Sequence, residues 1–301
     1  MAIWENCRIF EYIQSLNLKT LPKMKLLLDL TDVNNSDIPF KISKFPDGQQ
    51  AVNIEHFDST NTIQLSSRMN SFRDIELIIC ANQALGEFGA KNVELYVPYF
   101  LGARSDRKFL AGETNYLKNV ICPIINSQGF SKVIVVDPHS DVLEACLNNF
   151  VKFSNRSVVD FALDKLRARS SQTALISPDA GALKKIYDVA KEFNITNVTT
   201  ASKVRDIATG NIIKTELPTI DLKDIEHILI IDDICDGGRT FIELAKEIKK
   251  QTDKPIYLVV THGIFSAGYE ELGKHFSGVY TTNSIKEIDT HITLVNQLNI
   301  F

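Results

Sequence analysis

The sequence predicts an α/β protein with mainly parallel sheets flanked by helices, and three observations predict it. Short apolar runs of strand length recur along the chain, stretches of helical periodicity lie between them, and several runs end abruptly in charged or polar loops. Alternation of strand and helix needs crossover connections, and these lay helices over both faces of a parallel sheet. In chain order the strand candidates are Leu26–Leu30, Val93–Val97, Lys132–Val136, Thr173–Ile176, Ile228–Ile231 and Ile256–Val260. The helical patterns between them include Asp74–Phe88, Asn115–Asn126, Ala180–Phe193 and Thr240–Lys250. At 301 residues, 44% of them hydrophobic, the chain can fill one large core or two of ordinary size. A boundary near residue 150, after Asn148-Asn149, gives α/β halves 1–150 and 151–301.

Composition excludes several partners. A formal net charge of −4 offers no general attraction to nucleic acid or an anionic membrane, so a phosphate site must be a local basic cluster. The longest apolar runs fall well short of the roughly 18 residues a membrane-spanning helix needs. The opening MAIWENCRIFEYIQ carries acids inside its apolar stretch, unlike a signal peptide. Five cysteines, Cys7, Cys80, Cys122, Cys146 and Cys235, are scattered without CxxC spacing, which fits a reducing cytoplasm.

The most informative stretch is ILIIDDICDGGRTFIEL, residues 228–244. It reads as strand, loop and helix, and the glycines allow a tight turn whose free backbone N–H groups meet an anion at a helix N-terminus. Asp232 and Asp233 stand at the carboxyl end of the strand, where open α/β sheets place ligands, and can accept bonds from hydroxyls or help hold a cation. Five other stretches carry chemically useful residues. KISKFPDGQQAVNIE sets a Pro46-Asp47-Gly48 turn between alternating segments, as in a hairpin. Arg104-Ser105-Asp106-Arg107-Lys108 gathers three cations at the mouth of a strand, a pattern able to bind a polyphosphate. In VIVVDPHSD, Asp137 and His139 follow a buried strand and can share a metal ion. Asp179 in LISPDAGALKK again lies beyond a strand, where a helix N-cap is the ordinary role. TTASKVRDIATGN is a polar loop with Lys203 and Arg205 at alternate positions, as in a loop that closes over a reacting phosphate. Taken singly, each has a plain structural explanation: a hairpin, a solvated charge run, a cap, an exposed loop.

Their order is more specific than any one of them. The series FPDGQ, PYFLGARSDRK, VDPHS, SPDAG, SKVR and IDDICDGGRT, from Phe45 to Thr240, resembles the ribose-phosphate diphosphokinases, or phosphoribosyl pyrophosphate synthetases. The resemblance covers most of the chain. It implies two tandem type I phosphoribosyltransferase-like domains and transfer of the β,γ-diphosphate of ATP to the 1-hydroxyl of ribose 5-phosphate, with Mg²⁺ as cofactor. By the same resemblance Phe45, Asp47, Gly48 and Gln49 bind the adenine side of ATP, and Arg104, Ser105, Asp106 and Lys108 its nucleotide and triphosphate. These two sets meet from neighbouring subunits of a homo-oligomer. His139 and Asp179 match metal-associated positions with Asp137 close by, and Lys203 and Arg205 match the pair on the catalytic loop. Asp232 matches a ribose-binding aspartate beside Asp233, and Asp236, Gly237, Gly238, Arg239 and Thr240 match the seat of the 5-phosphate.

The chain also departs from that pattern. Gln49 stands where the family has Glu, Ser105 where it has Gln, and Arg239 where its phosphate loop has glycine. DVLEACLNNF lacks the usual pattern after the His, and the first forty residues are unlike the usual start. Three alternatives follow: a phosphoribosyltransferase that consumes phosphoribosyl pyrophosphate, a non-catalytic subunit that regulates a true synthetase, and a phosphosugar-binding protein without turnover. The first would share the IDDICDGGRT loop but would need neither the FPDG, ARSDRK and DPHS series nor a second domain.

Overall fold

The computed structural model of the chain describes residues 25–108, 110–205 and 212–301. Cys7 and the rest of residues 1–24 of the expected first half lie outside the described residues. Two parallel sheets dominate. The first joins β1 (Lys25–Asp29), β4 (Thr62–Ser66), β5 (Val93–Tyr96), β6 (Lys132–Val136) and β7 (Phe150–Phe153) in the order β1-β4-β5-β6-β7. β7 pairs with β6, so this sheet runs past position 150. The second has the order β15-β14-β13-β12-β8-β9, from β8 (Thr173–Ser177), β9 (Asn197–Thr200), β12 (His227–Cys235), β13 (Ile256–Gly263), β14 (Gly278–Thr282) and β15 (Val295–Leu298). Two antiparallel strand pairs complete the strands among the described residues: β2 (Phe40–Lys44) with β3 (Gln50–Ile54), and β10 (Ser202–Arg205) with β11 (Ile212–Glu216).

Burial on both faces explains the near-continuous apolar runs. In the second sheet Ile228, Ile230, Leu258 and Val260 face one core, and Leu229, Ile231 and Val259 the other. This is the two-residue alternation of a strand with both sides covered. Helix α6 (Arg239–Lys249) supplies Phe241, Leu244 and Ile248 to the first core, while α4 (Arg156–Leu166) and α5 (Leu183–Phe193) supply Val158, Val159, Ile186 and Val189 to the second. α1 (Phe72–Glu87) packs Ile75, Ile78, Ala81 and Leu85 into the core of the first sheet, and Asp74 accepts the Asn70 and Ser71 N–H groups at its start.

Several elements differ from expectation for definable reasons. The expected helix Asn115–Asn126 opens with a wide turn over Leu117–Ile121 before α2 (Cys122–Asn126), and the short α3 (Val142–Cys146) follows β6. Pro123 has no N–H to give to an ordinary helical bond, and the widened turn, with Cys122 N–H on the Leu117 carbonyl, carries the chain past it. β12 does not stop at Ile231 but continues to Cys235, because β13 is long enough to pair with Ile234 and Cys235 through His262 and Gly263. The polar stretch after Val198 contains strands as well, the end of β9 and then β10, which pairs antiparallel with β11. Beyond the strands, the sheets also meet through side chains: Arg68 Nε donates to the Asn283 carbonyl at 3.1 Å and the Tyr96 hydroxyl to that of Ile300 at 2.8 Å.

Candidate functional site

The carboxyl ends of the two sheets face each other, and the residues just past their strands build one polar seam. From the first sheet come Arg104 and Asp106 beyond β5, and Asp137, His139 and Ser140 beyond β6. From the second come Asp179 and Lys185 beyond β8, Asp232 to Asp236 at the end of β12, and Thr261 and His262 at the end of β13. Parallel sheets put their loops and helix starts at this end, which is why ligand sites gather there.

Side-chain contacts from both sheets knit the seam. His139 Nδ1 lies 2.7 Å from Asp233 Oδ2. Lys185 Nζ lies 2.9 Å from Asp137 Oδ1 and 3.8 Å from Asp233 Oδ1, and donates to the Pro138 carbonyl at 3.0 Å. Thr261 Oγ1 donates to Asp137 Oδ2 at 2.7 Å. Arg104 Nη1 reaches Asp236 Oδ2 at 2.8 Å, while Ser266 Oγ donates to Asp236 Oδ1 at 2.6 Å. Asp137 holds a positive φ of 43°, which an aspartate tolerates better than most residues but which needs firm surroundings.

Buried His262 closes the seam behind these groups. Its Nε2 lies 3.0 Å from the Val136 carbonyl and its Nδ1 2.8 Å from Ser284 Oγ. A carbonyl only accepts, so Nε2 carries the proton and Nδ1 takes the serine hydroxyl. Burial pushes its pKa down, in keeping with a neutral ring, and Tyr99 packs edge-on against it at 5.2 Å.

The electrostatics sort the carboxylates. Burial raises Asp232 well above the ordinary carboxylate range, and the adjacent Asp233 charge adds to this. Burial acts upward on Asp233 too, but the His139 hydrogen bond and the Lys185 charge outweigh it and hold that carboxyl low. The same hydrogen bond raises His139. A low-lying and a high-lying aspartate thus sit side by side, and a cation entering beside Asp232 would relieve the strain on its charge.

The expected residues are not all gathered here. Phe45, Asp47 and Gln49 lie on the exposed β2–β3 turn, where Gly48 has φ 100° and Asp47 accepts the Gln49 N–H; that hairpin is tied to α1 through Gln50 and Glu76. Asp106 turns inward: it is 5% exposed and its oxygens are taken by Arg107 and by Ser140 Oγ. Arg104, Ser105, Arg107 and Lys108 stay exposed around it. Asp179 Oδ1 accepts the Gly181 and Ala182 N–H groups, the capping role its position suggests. Gly238 has φ 79° and Arg239 and Thr240 open α6, so the Asp236–Thr240 stretch is a tight turn into a helix. Lys203 and Arg205 are in β10. Among the described residues no three His, Cys, Asp or Glu side chains are preassembled around a metal position.

Lys185, Thr261, His262, Ser140 and Ser266 escaped the sequence reading. Thr261-His262 follows the apolar run of β13 as Asp137 and His139 follow that of β6, and this shared pattern was the available signal. Lys185 had none, since Lys184-Lys185 reads as a solvated helix start.

Residues 155–292 match the phosphoribosyl transferase domain family. Over 257 residues, 84% of this chain and 86% of the relative, the sequence is 24% identical to a ribose-phosphate pyrophosphokinase of Sulfurisphaera tokodaii. Over 274 residues, 90% of this chain and 94% of the relative, it is 25% identical to one of Thermococcus kodakarensis. The chain is related to the ribose-phosphate pyrophosphokinases. Its fold is similar to that of phosphoribosylpyrophosphate synthetase from Mycobacterium smegmatis, with a TM-score of 0.74 at 15% identity, covering 93% of this chain and 95% of that one. The relation to pyrophosphokinases thus extends through both sheets and beyond the phosphoribosyl transferase match.

Proposed function

We propose that the chain is a ribose-phosphate diphosphokinase, moving the β,γ-diphosphate of ATP to the 1-hydroxyl of ribose 5-phosphate and releasing AMP. The observation that carries this reading is the juxtaposition across the seam: Arg104 of the basic loop meets Asp236 of the glycine-rich turn at 2.8 Å, and His139 meets Asp233 at 2.7 Å. Residues expected to serve two different substrates therefore border one seam. A phosphoribosyltransferase that consumes phosphoribosyl pyrophosphate would have no use for the first sheet and its basic loop.

In this reading the two sheets divide the work, the first with its loops on the ATP side and the second with its loops on the sugar-phosphate side. The turn at Gly237-Gly238 and the start of α6 seat the 5-phosphate, with Arg239 adding a cation. Asp232 and Asp233 accept from the ribose hydroxyls and orient the 1-oxygen for in-line attack. Arg104 and Lys108 hold the triphosphate, and Lys203 and Arg205 stabilise charge spreading toward the departing AMP. Mg²⁺ suits the donor set, since it binds through one or two carboxylates together with substrate phosphates and water, and His139 and Asp179 would face it. It would neutralise charge developing on the transferred phosphates. The exposed Phe45 turn, away from the seam contacts, fits an adenine site completed by a second copy, and the active form is then a homo-oligomer. No helix among the described residues is long and apolar enough to cross a membrane.

A product assay with ATP, ribose 5-phosphate and Mg²⁺, resolving AMP from ADP, tests the proposal. AMP and phosphoribosyl pyrophosphate in equal amounts, dependent on both substrates, are expected. Ribose 5-phosphate binding without either product would refute it in favour of a non-catalytic regulatory subunit.

A further inference from the structure

We infer that Lys185 is a positioning residue for this seam, and that Asp137 is its anchor rather than a metal ligand. The inference rests on the diphosphokinase reading of the seam, but its geometry stands in the structure. Asp137 is 2% exposed, and both its carboxylate oxygens are engaged, Oδ1 by the Lys185 ammonium at 2.9 Å and Oδ2 by the Thr261 hydroxyl at 2.7 Å. A cation binding to Asp137 would have to expel an ammonium already seated there. Lys185 also holds the Pro138 carbonyl at 3.0 Å, next to the residue whose positive φ turns the chain. That turn delivers His139 to Asp233 at 2.7 Å, and Lys185 stands 3.8 Å from the other oxygen of Asp233.

One side chain therefore touches the turn that carries His139 and the aspartate that faces the ribose side. Its stem enters from α5, so the joint is built from three separate segments, and it fixes the spacing between the two substrate sides. Its side chain is only 24% exposed, which sets it apart from the 80% exposed Lys184 beside it. A planar guanidinium can keep the contact with Asp137, whereas an apolar chain of the same length cannot.

The test uses the full chain with Lys185→Met, Lys185→Arg, Asp137→Asn and the Lys185→Met/Asp137→Asn double variant. Turnover and KM are measured together with urea unfolding midpoints and with Mn²⁺ binding, by electron paramagnetic resonance, in the presence of a non-hydrolysable ATP analogue. Lys185→Met is expected to lower kcat by about thirtyfold or more with KM values within about threefold, and Lys185→Arg to recover at least about a third of that loss. The double variant should be no worse than the poorer single one, in kcat and in unfolding midpoint, because each single change already breaks the same joint. Asp137→Asn should leave Mn²⁺ affinity within about threefold of the parent. A loss of Mn²⁺ affinity of about tenfold in Asp137→Asn alone, or additive effects in the double variant, overturns the inference. If the unaltered protein makes no AMP, the diphosphokinase reading fails on its own, and the unfolding midpoints and Mn²⁺ titration still decide the role of Asp137.

Discussion

Two adjacent glycines in the turn before α6 are required for different reasons, and paired alanine substitutions separate them. Gly238 has φ 79°, and a Cβ placed there would lie 3.0 Å from Leu272 Cδ2, a side chain only 2% exposed. An L-residue in the left-handed region costs about 1–2 kcal/mol. Crowding a buried leucine adds about 1 kcal/mol, at the low end for overpacking, because the contact is with the tip of the side chain. Gly238→Ala should thus destabilise the fold by about 2–3 kcal/mol, moving a urea midpoint by on the order of 1 M. Gly237 has no positive φ, and a Cβ there would meet nothing closer than Ser266 Oγ at 3.8 Å. Gly237→Ala should leave stability within about 0.5 kcal/mol, since the added methyl also restricts the unfolded chain. Its methyl would nevertheless stand in the proposed phosphate seat, raising the ribose 5-phosphate dissociation constant by about tenfold, or roughly 1.4 kcal/mol. Urea unfolding and calorimetric titration of ribose 5-phosphate measure the two effects separately. Equal destabilisation by both alanines, or a Gly238→Ala protein as stable as its parent, would refute the reasoning.

Asp233→Asn should cost stability in a defined pH window. Asp233 is held low, so its contribution is present above the ordinary carboxylate value of 3.8 and lost as pH falls through the folded value. His139 is raised, so its part is complete below the ordinary 6.5 and lost as pH rises through the folded value. The difference between parent and variant is therefore greatest between these limits, and thermal melts from pH 3 to 9 check it; a difference that keeps growing at high pH would contradict the pairing. Lys203→Ala and Arg205→Ala should each lower turnover by well over about tenfold with ribose 5-phosphate binding largely intact. Initial rates and titrations decide this, and weakened binding at unchanged turnover would remove both from the catalytic role. Light scattering of the active protein should show at least two copies of the chain, while an active monomer would exclude a shared ATP site. Alkylation in the native state should spare Cys122 and Cys235, whose burial pushes both thiols up to about 12, until the chain unfolds.

The sequence by itself determined the fold class and the chemistry-bearing loops. Apolar runs such as Ile228–Ile231 and Ile256–Val260 are local statements of burial on both faces, and Gly238 beside Asp236 is a local statement of a tight turn, so neither needs the rest of the chain to be read. Strands such as β4, β9 and β15 were not read because they are only four or five residues long and partly polar; they exist because a neighbour offers its ladder. The same holds for the extension of β12 through both aspartates, which depends on the length of β13. Only the tertiary structure decided what each charged residue faces. Asp106 and Asp137 look equally available in the sequence, yet one is bound by Arg107 and Ser140 and the other by Lys185 and Thr261, as much as 124 residues away. Such pairings arise where the ends of two sheets meet, and no periodicity along the chain encodes a meeting between segments so far apart in sequence.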